Sequence, residues 1–404
     1  MKVLYNAIQL IPPLTGIGVY SKHIAEQVAL LDGVEEVQFF LGGKCGQLEE
    51  LIESVPTPDL APGRKLPLHK KIQHALLLRY SLREALNGIY HYIPMLNGPV
   101  TRVLEQLESR QRIEFTKEHL YHETNFVLKP HKGPKVVTVH DLSIHRYPEY
   151  HPKERVAFMT KGMKRTMEKA DQIITVSEFV KNEVIEHYSL DSDIVTAVPN
   201  AVDDAYRPRT EEQCGEYLRK YHLEYQRYLL IVGSVEPRKN LGLLLDSYRD
   251  LPDDTKASYP LIHIGPSGWK NTEIQSKAND LEASGCFRSL GYVEQSDLPY
   301  LLSGAAGLAF PSVYEGFGLP ALEAIASGVP LLSSCTSALP EVVGEAGILI
   351  DPYSRTEITS GLSRLLDRGK TVEEMIQVGL ARAKHFSWAR TAKETYDVYV
   401  RAHH

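Results

Sequence analysis

Gly307-Leu-Ala-Phe310-Pro-Ser-Val-Tyr-Glu315-Gly-Phe-Gly-Leu-Pro320-Ala-Leu-Glu323-Ala-Ile-Ala-Ser-Gly-Val-Pro330-Leu-Leu332 reads as strand, turn, helix and strand again. Gly307 to Phe310 is a short apolar run of the kind a sheet buries, and Val329 to Leu332 is a second one. Between them Pro320 stands where a helix begins, because its missing N–H costs nothing in the first helical turn. Two strands joined by a helix run parallel, so this stretch predicts one unit of a helix-covered parallel sheet.

The same alternation extends outward in both directions. Val3 to Ala7, Val37 to Leu41, Val136 to His140, Gln172 to Val176 and Ile194 to Val198 form one series of β-rich runs. Tyr228 to Val232, Leu261 to Ile264, Gly307 to Phe310 and Val329 to Leu332 form a second. Between the series lies the turn-rich stretch Pro199-Asn-Ala-Val-Asp-Asp-Ala-Tyr-Arg-Pro208, which has the character of a linker. An α/β fold of two domains is therefore expected, divided at 205/206, with a cleft between the lobes. Trp388, Ala392, Tyr396 and Tyr399 recur at helical spacing, so a closing helix is expected over 385–404, packing back on the N-terminal domain.

Composition narrows the function. The 404 residues are 43% hydrophobic and 24% charged, as in ordinary globular chains, and the length suits two cores. Lys and Arg number 45 against 51 Asp and Glu, so no general charge attracts nucleic acid. Cys45, Cys214, Cys286 and Cys335 are scattered, which indicates neither a zinc site nor a disulfide framework and fits a reducing cytosol. The N-terminus lacks the pattern of a signal peptide, and no window has the apolar length of a spanning helix. Any membrane contact is expected to be peripheral.

Four stretches could carry chemistry, each just after a strand, where parallel sheets place their ligands. Glu315 and Glu323 flank the turn Gly316-Phe317-Gly318, whose glycines let a backbone approach a ligand beside the N–H groups of a helix start. One carboxylate could hold sugar hydroxyls and the other a ribose; an acidic helix start alone would also give the pattern. Gly233-Ser234 leads into Arg238-Lys239, a cation pair able to neutralise a diphosphate. Gly16-Ile-Gly18 opens a helix, with Ser21 where a dinucleotide fingerprint would have its third glycine. His140-Asp141 ends a strand and could donate to a reacting sugar, while Ser177 or Glu178 could cap the next helix or touch a ligand.

Taken in order, these residues resemble the retaining glycosyltransferases of family 4, which have the GT-B fold of two Rossmann-like domains facing across a cleft. The resemblance is to bacterial polysaccharide mannosyltransferases and covers most of the chain. It implies that Arg238 and Lys239 bind the donor diphosphate, Glu323 its ribose and Glu315 its sugar, with His140 at the reacting region. His140 and Glu315 are then the catalytic candidates. Gly16, Gly18, Gly233, Ser234, Arg238, Lys239, Gly316, Phe317, Gly318 and Glu323 are the donor-binding ones. No cofactor and no metal are expected, and Asp191-Ser-Asp193 reads as a turn.

The donor implied is GDP-mannose and the acceptor a saccharide or a lipid-linked chain, as in lipopolysaccharide O-antigen synthesis. A UDP-sugar enzyme, an epimerase or a non-catalytic nucleotide-sugar binder are the alternatives. Between Arg64 and Arg83 six cations stand without one acid, interleaved with Ile72, Leu76, Leu77 and Leu78. Such a stretch could lie on an anionic bilayer, which would place a cytoplasmic enzyme at the inner membrane face.

Overall fold

The computed structural model describes residues 1–11, 14–41, 44–53, 118–266, 272–367 and 369–403. The basic stretch from Arg64 to Arg83 lies outside these residues. The chain divides into two compact units, one of Met1–Val139, Gly162–Ile174 and Ala392–His404, the other of His140–Lys161 and Thr175–Thr391.

The first sheet contains β1 (Lys2–Asn6), β2 (Glu36–Leu41), β3 (Lys44–Gly46), β4 (His119–Glu123), β5 (Lys135–Val139), β6 (Gln172–Thr175) and β7 (Val195–Ala197), in the order β3-β2-β1-β4-β5-β6-β7. β1 pairs in parallel with β2 and β4, whereas β3 returns antiparallel on β2. The second contains β8 (Leu229–Val232), β9 (Leu261–Ile264), β10 (Phe287–Gly291), β11 (Gly307–Phe310), β12 (Leu331–Ser334) and β13 (Ile348–Ile350), in the order β10-β9-β8-β11-β12-β13. Its pairings are parallel throughout.

The second sheet is buried on both faces, as parallel sheets must be when helices cover them. Side chains alternate between faces along each strand. Leu230, Ile262, Leu308 and Leu331 accordingly join one apolar cluster, while Leu229, Ile231, Leu261 and Leu332 join the other. His263, Ser333 and Ser334 are buried within strands, whereas the ionised Arg238, Lys239 and Glu315 stand in the loops at the strand ends.

The first unit buries polar groups within its sheet instead. β4, His119-Leu-Tyr-His-Glu123, is buried at every position. His122 accepts or donates at both ring nitrogens, Nδ1 to the Tyr399 hydroxyl at 2.6 Å and Nε2 to Thr138 Oγ1 at 2.8 Å. Tyr399 also meets the Tyr5 hydroxyl at 2.8 Å, which ties the Trp388–His403 helix to β1. Glu123 accepts from the Tyr121 hydroxyl at 2.6 Å and from Asn6 Nδ2 at 3.0 Å. Burial raises the Glu123 carboxyl above its ordinary range, although the charge of Lys129 and these hydrogen bonds pull the other way.

Candidate active site

β8 ends at Val232, and the chain turns through Gly233 and Ser234 into a short 3-10 turn, Pro237–Lys239. Pro237 fixes the start of that turn, and Asn240, at φ +61°, ends it and opens the next helix. Asn240 Nδ2 donates to the carbonyls of Pro311 and Pro352, at 3.1 and 2.6 Å, and so fixes the turn against the ends of two neighbouring strands. The Val313 N–H donates to the Arg238 carbonyl at 2.8 Å, knitting the turn to the loop after β11.

That loop brings Glu315 onto both cations. Lys239 Nζ donates to Glu315 Oε1 at 2.5 Å and Arg238 Nη1 to Glu315 Oε2 at 2.9 Å. Glu236 takes the other edge of the guanidinium, Arg238 Nε to Oε2 at 3.0 Å, and accepts from Ser234 Oγ at 2.5 Å. Burial alone would raise the Glu315 carboxyl; the charges of Lys239 and Arg238 more than reverse this and hold it at about 2. Burial works against the charge of Lys239 too, and Glu315 sustains it. The result is an ionised, nearly dry cluster in which each charge depends on the others.

A cavity beside the cluster is lined by Gly233, Ser234, Lys239, His263, Phe310 and Ser312 among others. His263 Nε2 lies 2.8 Å from the Gly233 carbonyl, holding one edge of this cavity.

The loop Glu315–Gly318 packs on two others. A Cβ at position 316 would stand 1.7 Å from the His140 carbonyl oxygen, so only glycine permits this approach. Gly318 caps the Leu319–Ala326 helix at φ +101°, a conformation that other residues rarely adopt. Ser177 Oγ donates to the Gly316 carbonyl at 2.7 Å and accepts the Val180 N–H at 3.2 Å, so Ser177 is the cap of its helix. The Tyr314 hydroxyl donates to Glu183 Oε2 at 2.5 Å and accepts the Leu142 N–H at 2.9 Å; Glu183 is paired in turn with Arg146 Nε at 2.6 Å.

The structure therefore brings together Gly233, Ser234, Arg238, Lys239, Glu315, Gly316 and the backbone of His140. The ring of Phe317 packs among apolar side chains. It is 5% exposed in an apolar cluster with Val176, Leu322 and Val342, edge-on to Phe386, so only its backbone is available to a donor.

Glu323 keeps other company. Tyr206 is hydrogen-bonded to it, Asp203 lies close enough to repel it, and burial, the largest influence, pushes its carboxyl up to about 7. Gly16 and Gly18 belong to the first unit, at the start of the Gly16–Val28 helix, where a Cβ on Gly18 would meet the Gln9 carbonyl at 2.5 Å. The Asp191 carboxylate accepts the Asp193 N–H at 3.0 Å and caps a 3-10 turn.

Sequence reasoning did not single out Glu236, Asn240, Tyr314, Glu183 or Tyr206. Glu236 and Asn240 flank the cation pair and Tyr314 adjoins Glu315, so adjacency was a signal. Glu183 gave no such signal: only the structure shows that this acid of the Glu178–Tyr188 helix is 5% exposed and must have partners.

The family described as Glycosyltransferase Family 4 matches residues 16–206, and Glycosyl transferases group 1 matches residues 216–382. The chain is also 35% identical, over 99% of each chain, to an O-antigen chain mannosyltransferase B of Escherichia coli. The chain belongs to this glycosyltransferase family. Among solved structures, this glycosyltransferase superposes on a sucrose-phosphate synthase from Thermosynechococcus elongatus with a TM-score of 0.67 and 16% identity, covering 99% and 98% of the two chains. It superposes on Anabaena HepE, solved with UDP and glucose, with a TM-score of 0.66 and 15% identity, covering 99% of each. At these identities the likeness concerns the fold, which is GT-B with two Rossmann-like parallel sheets. Among the described residues no helix is long and apolar enough to cross a membrane.

Proposed function

We propose that this glycosyltransferase moves mannose from GDP-mannose, with retention of configuration, onto a saccharide or lipid-linked acceptor in the synthesis of a bacterial surface polysaccharide. The observation that carries the reading is the carboxylate of Glu315 lying across Arg238 and Lys239. A buried cation pair satisfied by an anion is the arrangement that a diphosphate needs, and the carboxylate beside it suits sugar hydroxyls. The name of the Escherichia coli relative supports mannose as the sugar.

In this reading 206–384 holds the nucleotide sugar, 1–205 forms the acceptor side, and 385–404 is a helix that packs back on the latter. Arg238 and Lys239 stabilise the negative charge that grows on the leaving diphosphate. Glu236, the carboxylate that shares the Arg238 guanidinium with Glu315, is engaged by Arg238 and Ser234, and the reading is attack from the face the diphosphate leaves rather than double displacement. There the acceptor oxygen bonds the anomeric carbon, the bond to the phosphate oxygen breaks, and that oxygen takes the acceptor's proton. Glu315 and the His140 region hold the sugar; Glu323 holds the ribose. The basic stretch Arg64 to Arg83 would bring the enzyme to an anionic membrane.

The test is a donor comparison. GDP-mannose should raise Tm and be turned over more than GDP-glucose or any UDP-sugar, with turnover unaffected by EDTA. Preference for a UDP-sugar would replace the donor, and loss in EDTA restored by manganese would make Asp191 and Asp193 candidate ligands.

A further inference from the structure

We propose that Tyr147, Tyr150 and Tyr353 form a saccharide subsite beside the cation pair, taking a pyranose ring of the acceptor chain. The inference rests on the glycosyltransferase reading and adds a place for the substrate that the donor site leaves unassigned.

The three rings come from two separate loops. Tyr147 and Tyr150 bracket a 3-10 turn, Pro148–Tyr150, closed by the Tyr150 N–H on the Tyr147 carbonyl at 3.0 Å. A 3-10 turn eclipses side chains three residues apart, and the two rings lie 5.3 Å apart at an interplanar angle of 5°. Both remain half-buried rather than sunk in a core. Tyr353 follows β13 and lies close enough to Tyr147 for the two hydroxyls to influence each other, yet it leaves 61% of its surface exposed.

Three tethers place this group at the border of the candidate site. The Tyr147 ring lies 5.5 Å from that of Tyr314, the residue before Glu315. Pro352, before Tyr353, is held by Asn240, the residue after Lys239. The Tyr147 N–H donates to the Ser143 carbonyl at 2.9 Å and the Ser143 N–H to Asp141 Oδ1 at 2.9 Å, which hangs the turn on the residue after His140. Convergence of exposed aromatic surface on one polar site is what a ligand subsite requires.

The chemistry points to a sugar. A pyranose offers one apolar face of C–H bonds inside a rim of hydroxyls. A tyrosine offers a flat apolar face and a hydroxyl at its edge, and a group of three matches both parts. A sugar of the donor has the same chemistry as a sugar of the acceptor. Tyr353 follows β13, at the edge of the second sheet, whereas Arg238 and Lys239 follow β8 in its middle, which favours the acceptor.

The test uses mannotriose as probe with the full chain. By saturation-transfer NMR in the presence of GDP, wild type should bind mannotriose, Tyr353→Ala should lose the signal, and Tyr353→Phe should keep most of it. With an exposed position no loss of fold is expected, and circular dichroism checks this. In transfer assays Tyr353→Ala should raise the acceptor KM at least fivefold without moving the donor KM. Absence of mannotriose binding by wild type, an unchanged signal in Tyr353→Ala, or a shift in the donor KM instead would overturn the proposal. Hydrolysis of GDP-mannose without acceptor is measured in parallel. Its absence breaks the transferase reading, while the NMR comparison still decides the saccharide subsite.

Discussion

Glu315 and Glu123 are both buried, 7% and 1% exposed, yet their environments drive them in opposite directions. Glu123 sits in a sheet among tyrosine, asparagine and backbone donors, and burial prevails, raising its carboxyl. Glu315 sits at strand ends on two cations, and charge prevails, holding it at about 2. The first arrangement is complete in itself and asks for nothing more. The second concentrates two positive charges in a dry place, so another anion can compete for them. Burial of an acid therefore does not by itself mark a site; at Glu315 the two cations it bridges do.

The largest effect expected is at Glu315. Glu315→Gln should lower kcat about 10²-fold or more at saturating donor, the scale of losing one group that acts on developing charge. Because the carboxylate no longer occupies the cations, GDP should bind as tightly as to wild type or more tightly by calorimetry. Weaker GDP binding would mean that Glu315 supports the cations rather than competing for them.

Removal of a cation comes next. Arg238→Met leaves Glu315 and Glu236 short of a partner and should cost about 3–5 kcal/mol of stability, as broken buried ion pairs do. Adding Glu236→Gln should restore part of the Tm and none of the donor binding. Full recovery of binding would remove Arg238 from the donor site.

The pair of glutamates should respond oppositely to amide substitution. Glu315 is held below its ordinary value of 4.5, so its charge stabilises the fold above that pH, and this is lost as pH falls toward 2. Glu315→Gln should thus lower Tm at pH 7.5. Glu123 is raised, so its ionisation destabilises as pH rises, and Glu123→Gln should keep or raise Tm at pH 7.5 and leave turnover unchanged. Equal losses of Tm would erase the contrast.

Glu323 should give the smallest and most specific effect. Its carboxyl is pushed up to about 7, and only the ionised form presents both oxygens as acceptors to a pair of ribose hydroxyls, since the protonated form carries an O–H on one of them. Donor KM should fall by up to about tenfold as pH rises from 6 to 8, the rise in the ionised fraction across a value of about 7. In Glu323→Gln that slope should vanish; its persistence would assign the ionisation elsewhere.

Much of the second unit was legible. Leu261–Ile264 and Gly307–Phe310 have the expected bounds, because short, mainly apolar runs between turn residues have few alternatives in an α/β chain. β4 was not, since His119-Leu-Tyr-His-Glu123 looks like surface. Its His122 and Glu123 are satisfied by Asn6, Thr138 and Tyr399, the last 277 residues from His122. β3 and β13, each three residues long, are too short to show a period. At the site, residue type and position after strands pointed to Arg238, Lys239 and Glu315. That one carboxylate bridges both cations was not legible, because 76 residues separate Lys239 from Glu315 and only the sheet order brings their loops together.

The contact between Gly316 and the His140 carbonyl bears on redesign. A library that randomises the whole Glu315–Gly318 loop to change the donor would spend most of its members on sequences that push this loop off its neighbour. Selection for folded protein alone should return glycine at 316, even with no sugar in the medium. Diversity is better placed at Ser234 or Ser312, which line the same cavity without carrying the backbone contact.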